Sequence, residues 1–447
     1  MGRSSTTKRG SLPRPTVRAD DPHLTRFAGA IPFIRFCESQ GVAKALREVV
    51  GLSPERRRHA PHRVLFAFLV ASVLGFGRLA HLDWCKGDAV LLKFLRFSSW
   101  PVRKVFSTAL AGVTDAGLAT LSRLVTRLGL LGLSKAPSVV IDFDGTAIVA
   151  YGEQEGATFG YCGKGRNRRR HHPLVASVAE TRAVVLAKYR DGSGIDATEA
   201  IEFFREAVRR VREGVGPKDV LLRADSGFWS KQMGDWLLGE KLPFAFALPL
   251  SPGVKLVAWK ADFQRVDDCD DDVEIAELPG ALVGLDAKLR VVLVRRRLHD
   301  PSAPPAGKKL EQDPLHRYQA IVTSLDTDAV GVWRFYNGRG DAERVFKVGK
   351  HALALGNLVG SSLRANSAAF LLRLLAFNLD LAFQREADRA AATAGRKVEP
   401  LGLAARQPRL YHLAGRLLRA ADRWILRLPK AHQVARLWDY YAAAIPG

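Results

Sequence analysis

The chain has 447 residues, with 68 Lys or Arg against 45 Asp or Glu, a net charge of +23 and a pI near 10.2. That length buries two or three cores, and the cationic excess is too large and too spread out to be only a solubility device; it asks for a long polyanion, most simply DNA held through its phosphates. Cys37, Cys85, Cys162 and Cys269 form no C-x-x-C pair, which sets aside structural zinc and points to a reducing cytoplasm, and no signal peptide is apparent. From the N-terminus, residues 1–25 read as a flexible basic arm, with Lys and Arg set among Ser, Thr, Pro and Gly before the first acid at Asp20.

Residues 26–135 carry helical periodicity at Val42 to Val50, Arg63 to Gly77, Ala89 to Leu95, Ser99 to Leu110 and Asp115 to Leu130. Val64 to Gly77 is the longest uncharged apolar run, shorter than the roughly 20 residues that span a bilayer, so it reads as a buried helix. Ser98, Ser99 and Pro101 predict a helix start, a hydroxyl cap with proline in the first turn. Ala89–Leu95 and the helix bearing Arg103 and Lys104 suit a helix-turn-helix DNA reader or a plain helical bundle.

Residues 136–250 predict strands at Ser138–Phe143, His172–Glu180, Ala183–Tyr189 and Asp219–Ala224, with a helix near Ala197–Glu213. Lys164, Arg166, Arg168, Arg169 and Arg170 form a dense basic loop between them, suited to a DNA backbone; a solvated hairpin tip is the alternative. Cys162, His171 and His172 fit no zinc spacing well. Residues 251–325 alternate in strand fashion at Arg290–Val294 and Tyr318–Thr323. The same stretch holds Trp259, a stacking candidate, the cations Arg295 to Arg297, and acids from Asp267 to Asp272 that read as a solvated loop. Ala368 to Phe383 is apolar at helical spacing, and Leu413 to Leu428 predicts a basic amphipathic helix with Arg416, Arg419, Arg423 and Arg427.

Three segments concentrate the chemistry. In the first, Val139 to Ile141 is an apolar β-branched run that ends in Asp142, Asp144 and a Gly145-Thr146 turn. In the second, Val220 to Leu222 leads through Arg223 to Asp225 and a Ser226-Gly227 turn. Each reads as a buried strand that delivers a carboxylate at its tip, although any one Asp can equally be a turn or cap residue. In the third, Tyr336, Arg339, Glu343 and Lys350 follow at intervals of three, four and seven, which on a single helix places a carboxylate, two cations and a phenol on one face. Two strand-end aspartates and a helix glutamate are hard oxygen ligands for two Mg²⁺ ions roughly 4 Å apart. Strand alternation sends Asp142 and Asp144 to the same face, so only one of them need be a direct ligand.

In this order the motifs resemble those of the DDE transposases of bacterial insertion sequences, in the branch with a Y-x2-R-x3-E-x6-K signature. The resemblance runs from about Ser138 to Glu386. It implies a mixed α/β fold, in which an RNase H-like catalytic core (136–250 and 326–390) is interrupted by a β-rich insertion domain (251–325). Helical N-terminal (26–135) and C-terminal (391–447) regions flank that core. It further implies Asp144, Asp225 and Glu343 as catalytic metal ligands, and Tyr336, Arg339 and Lys350 as phosphate contacts. The cofactor would be Mg²⁺, with Mn²⁺ substituting. The partners would be double-stranded transposon-end and target DNA, met by a homodimer or larger assembly in the bacterial cytoplasm on the nucleoid, with no membrane. The implied reaction is cleavage at the element's ends followed by strand transfer. A nuclease without strand transfer, or an inactive DNA-binding regulator, are the other classes; a P-loop ATPase is disfavoured because G-x-x-x-x-G-K-[ST] is missing.

Overall fold

A computed structural model of the chain describes residues 16–51, 58–133, 137–163, 167–216, 219–267, 272–298, 308–310, 313–396, 401–421, 423–430 and 439–441. Side chains are described for all of these except 308, 309, 314 and 341–344. The expected basic arm up to residue 15, Lys164, Arg166, Cys269 and residues 268–271 of the acidic run thus lie outside the described residues.

Helices α1 (Ala30–Ser39), α2 (Pro61–Val73), α3 (Ala89–Phe94), α4 (Arg103–Ala111) and α5 (Asp115–Gly129) precede the first long strand. Proline opens α2 at its first position, where no backbone N–H is needed, and the helix ends before Gly75 turns to φ +83°. Ser98 and Ser99 do not cap α4. Trp100 is anchored in the core, Pro101 stays outside the helix, and Val102 occupies the cap position. In α5, Thr114 caps by accepting from the Gly117 N–H at 3.0 Å.

The strands in chain order are β1 (Ser138–Gly145), β2 (Ile148–Val149), β3 (Thr158–Tyr161), β4 (Asn167–His171), β5 (Leu174–Val178), β6 (Val184–Lys188), β7 (Asp219–Ala224), β8 (Phe244–Leu248), β9 (Val273–Pro279), β10 (Arg290–Arg297) and β11 (Asp313–Thr323). In space the core runs β6–β5–β1–β7–β8, an antiparallel meander joined to two strands parallel to β1. This is the arrangement expected of an RNase H-like core. Residues 251–325 are β-rich but do not fold apart from it. β11 pairs with β8 through Ala320 opposite Leu248, and β10 and β9 continue the same sheet outward. The physical reason is the open edge of β8, whose unpaired backbone groups the new strands satisfy.

Helices α6 (Ala197–Val215) and α7 (Lys231–Gly239) cover one face of the sheet, where the Phe143 and Phe204 rings stack at 3.5 Å between centroids. Asp196 caps α6 by accepting from the Glu199 N–H at 2.8 Å. Helix α8 (Ala329–Asn337) buries Val332, Trp333 and Tyr336 on the other face. It is followed by α9 (Gly340–Ala352) and by the long α10 (Leu363–Thr393).

α10 is apolar and long enough to cross a membrane, yet 94% of its apolar window is buried inside the protein. It is a core helix, and it shares one hydrophobic core with α1, α2, α4 and α5. Two of its buried polar residues tie it to neighbouring elements. Asn378 accepts from the Val184 N–H at 2.9 Å and donates to Val184 O at 2.7 Å and Val125 O at 2.9 Å, which ties α10 to β6 and α5. Asp380 accepts from Tyr411 Oη at 2.6 Å and from Arg406 Nε at 3.1 Å.

The expected amphipathic helix at Leu413 to Leu428 is instead a hairpin of β12 (Gly415–Ala420) and β13 (Arg423–Arg427), with Leu24–Thr25 as a third strand. Ala421 takes φ +52°, which ends any helical run there, and alternation lets Leu417 reach the core beside Ile31 and Val90.

Candidate active site

Asp142 and Arg223 are register partners on the parallel strands β1 and β7. The carboxylate accepts from Arg223 Nε at 2.6 Å and Nη2 at 2.8 Å, a two-pronged pair in which Asp142 is 1% exposed. Asp142 is therefore a strut inside the sheet, its oxygens taken up by the guanidinium.

Asp144 lies two residues on, at the end of β1, and Asp225 directly follows the last residue of β7. Because Phe143 pairs with Ala224 in parallel register, the two carboxylates emerge side by side from one edge of the sheet. Each is braced by its own turn: the Gly145 N–H donates to Asp144 Oδ1 and the Gly227 N–H to Asp225 Oδ1, both at 2.9 Å. Asp225 is the more open, with its side chain 43% exposed against 15% for Asp144.

One guanidinium joins them. Arg339 Nη2 lies 3.3 Å from Asp144 Oδ1 and 3.8 Å from Asp225 Oδ2, so those two oxygens are within about 7 Å of each other, the sum of the two contacts. Arg339 itself is buried.

The segment from Tyr336 to Lys350 is two helices rather than one, yet Arg339 and Lys350 both still come to the Asp144 end of β1. α8 ends at Asn337, Gly338 intervenes, and Arg339 is the cap residue of α9. The break has a tertiary cause. Arg223 Nη1 donates to Phe335 O at 2.7 Å, and a Cβ on Gly338 would stand 2.3 Å from that same nitrogen. Tyr336, at the end of α8, is buried among the apolar residues of the sheet face. Glu343 sits about one turn after Arg339 in α9, and its side chain is among those not described. Val345 and Phe346 anchor that helix in the core.

Lys350, near the far end of α9, reaches the loop after β1. Its ammonium donates to Thr146 Oγ1 at 2.5 Å and Ala147 O at 3.4 Å. Partial burial lowers its pKa, with the Asp144 charge working in the opposite direction. His172, whose Nε2 lies 3.2 Å from where a Gly145 Cβ would be, is held neutral, its pKa pushed down to about 4 by burial and then by Arg170 and Arg190.

The expected basic loop is partly a strand: Arg168, Arg169 and Arg170 lie on β4, paired with β3 and β2 in a small sheet beside the site. Arg170 Nη1 donates to Tyr161 O at 2.7 Å. His171 is no metal ligand here, since Glu155 O at 2.9 Å and Tyr189 Oη at 2.8 Å occupy both ring nitrogens. Trp259 is half exposed on the helix Pro252–Lys260. Arg295 pairs with Glu274, and Arg296 lies 5.7 Å from the centre of the Trp333 ring. Sequence reasoning missed the roles of Arg223 and Thr146. The available signal was Arg223 at strand spacing from Asp225, a cation in an otherwise apolar strand.

Among the described residues, no group of three or more His, Cys, Asp or Glu side chains could hold a metal ion. Asp144 and Asp225 nonetheless offer hard oxygen donors to a shared cation, and the Arg339 guanidinium stands in for one between them. The donor set therefore fits Mg²⁺ or Mn²⁺.

Residues 15–268 and 306–446 match a family model described as transposase DDE domain, group 1. No curated protein matches the chain. Among solved structures, it is similar to the piggyBac transposase in a cryo-EM synaptic complex with hairpin DNA. That likeness has 13% identity and a TM-score of 0.45, over 93% of this chain and 85% of that one.

Proposed function

The chain belongs to the group 1 family of transposase DDE domains, and from that premise we propose that it cuts DNA at the ends of a mobile element and joins the freed 3′ ends to target DNA. One observation carries the reading: Asp144 and Asp225 leave adjacent parallel strands around a single cation, beneath the helix that bears Glu343.

Asp144, Asp225 and Glu343 would hold Mg²⁺, or Mn²⁺ in its place. When bound, the divalent metals supply an activated water or 3′-hydroxyl and stabilise the leaving oxygen. The chain's own groups position the DNA. Arg339 balances the two carboxylates and would also offer N–H groups to a phosphate oxygen of bound DNA. Lys350, tethered at Thr146, meets a phosphate next to the scissile one. Tyr336, expected as a phosphate contact, is buried among the apolar residues of the sheet face and would act by packing at the end of α8. Arg168, Arg169 and Arg170, with Lys164 and Arg166 preceding them, track the duplex backbone. The active form is a dimer or larger assembly on double-stranded DNA, in the bacterial cytoplasm.

The test is Mg²⁺-dependent cleavage of DNA carrying the gene's own flanking repeats, comparing the natural protein with Glu343→Gln. Breaks at the repeat boundary and joined products, both lost in the variant, support transposition. Breaks without joined products would leave a nuclease. Tight binding without cleavage, in Mg²⁺ and in Mn²⁺, would leave a DNA-binding regulator.

A further inference from the structure

The small sheet β2–β4–β3 follows Asp144 directly and carries two rings that the site chemistry leaves unused. Phe159 is 75% exposed and Tyr161 is 61% exposed. They are two residues apart on β3, so strand alternation puts both on one face. Their register partners across β4 are Arg169 and Asn167, which set a cation and an amide beside the rings. The sheet beneath is firmly held. Ile148 and His171 are buried, both His171 nitrogens are engaged, and Arg170 clasps Tyr161 O. Lys350 ties the loop between β1 and β2 to α9 and so fixes the sheet relative to Asp144.

Core packing does not account for rings this open, and phosphate contacts alone need no ring. A strand rises about 3.4 Å per residue, so residues i and i+2 stand roughly 6.8 Å apart. Bases stack at about 3.4 Å, so one base with a ring on each face needs that same spacing. We propose that Phe159 and Tyr161 clamp one unpaired nucleobase of the DNA strand at the active site, with Arg169 on the adjoining phosphate. A duplex hides its base faces within its own stack, so the ligand is an unpaired terminal nucleotide. Every base has a π-face, so the clamp holds it without sequence preference. This inference rests on the DNA-cleaving reading of the Asp144 and Asp225 site.

The experiment compares the full-length protein on a blunt duplex of the flanking repeat and on the same duplex with a one-nucleotide overhang on either strand, carrying 2-aminopurine. The natural protein should bind one overhang about tenfold tighter than the blunt end and quench the probe. Phe159→Ala with Tyr161→Ala should lose both effects while keeping blunt-end affinity and melting temperature, since both rings are in solvent. Phe159→Trp with Tyr161→Trp should keep the quench. Equal affinity for blunt and overhanging ends, or a quench that survives the alanine pair, overturns the clamp and leaves the cleavage reading standing. An alanine pair that breaks an oligomer without changing overhang preference assigns the rings to a protein interface and also overturns it. A protein that binds none of these DNAs sinks both readings together.

Discussion

Asp142→Asn should damage the fold far more than Asp144→Asn, although the two acids are neighbours on one face of one strand. Asp142 is fully enclosed and receives two N–H groups from Arg223, which is itself buried. The asparagine keeps the shape, removes the counter-charge and turns one acceptor into a donor that faces the guanidinium. Removing one partner of a buried pair costs about 3–5 kcal/mol, and the acceptor that asparagine retains puts this case near 3 kcal/mol. In a chain this long each kcal/mol moves the midpoint by roughly 1–2 °C, so calorimetry should show a fall of about 3–6 °C. Asp144 shares the Arg339 guanidinium with Asp225, which remains to balance it and no longer faces a second carboxylate, so the loss of Asp144 should cost about 1 kcal/mol, less than that of Asp142. Asp142→Leu combined with Arg223→Met, which removes both charges, should recover part of the loss, though not the bond to Phe335 O. If Asp142→Asn melts with the natural protein, or Asp144→Asn proves the more damaging, the division of the two acids between fold and chemistry is wrong.

Three other outcomes can be measured on the same protein. Arg339→Ala leaves Asp144 and Asp225 unbalanced in EDTA, so millimolar Mg²⁺ should raise its melting temperature more than it raises that of the natural protein; equal shifts would refute the stand-in role. The pKa of His172 is near 6.5 in the unfolded chain and about 4 in the fold, so both states are neutral above pH 6.5. As pH falls from there towards 4 the unfolded chain takes a proton that the fold refuses, and stability drops across that window by about 1–2 kcal/mol between pH 7 and 5, after discounting for solvent screening. Urea unfolding of His172→Gln at both pH values should show a smaller drop, and an identical drop would remove His172 as the cause. Asn378→Leu orphans the Val184 N–H and removes the side-chain donors to Val184 O and Val125 O, and should destabilise by about 2–3 kcal/mol; amide exchange at Val184 should quicken with it.

Where local pattern and packing agree, the chain was legible from its sequence. β7 runs over the predicted residues, Asp219 to Ala224, and α6 begins at its Asp196 cap with Phe203, Phe204, Ala207 and Val211 on the buried stripe. β1 runs two residues past its predicted end because Asp144 and Gly145 find partners in Val175 and Leu174. α1, which is not among the predicted helices, carries Pro32 in its first turn, where no donor is missed. The four-residue motif on α8 and α9 had correct spacing for one helix, and the break comes from an arginine more than a hundred positions upstream. No periodicity reports that. The same arginine takes up Asp142, which the sequence does not report, because alternation fixes the face of a strand residue and not the partner that claims it. At Leu413 to Leu428 the apolar positions suit either period, and only the tertiary pairing with Leu24 and Thr25 selects the hairpin.

The unbroken ladder from β7 through β8, β11 and β10 to β9 makes the molecule a caliper. Strands sit about 4.8 Å apart, so four steps carry β9 roughly 19 Å from β7, the strand that Asp225 follows. A separately hinged insertion could swing. Strands bonded into one sheet cannot slide without breaking their ladder, so β9 keeps a set distance from the carboxylates at the tips of β1 and β7.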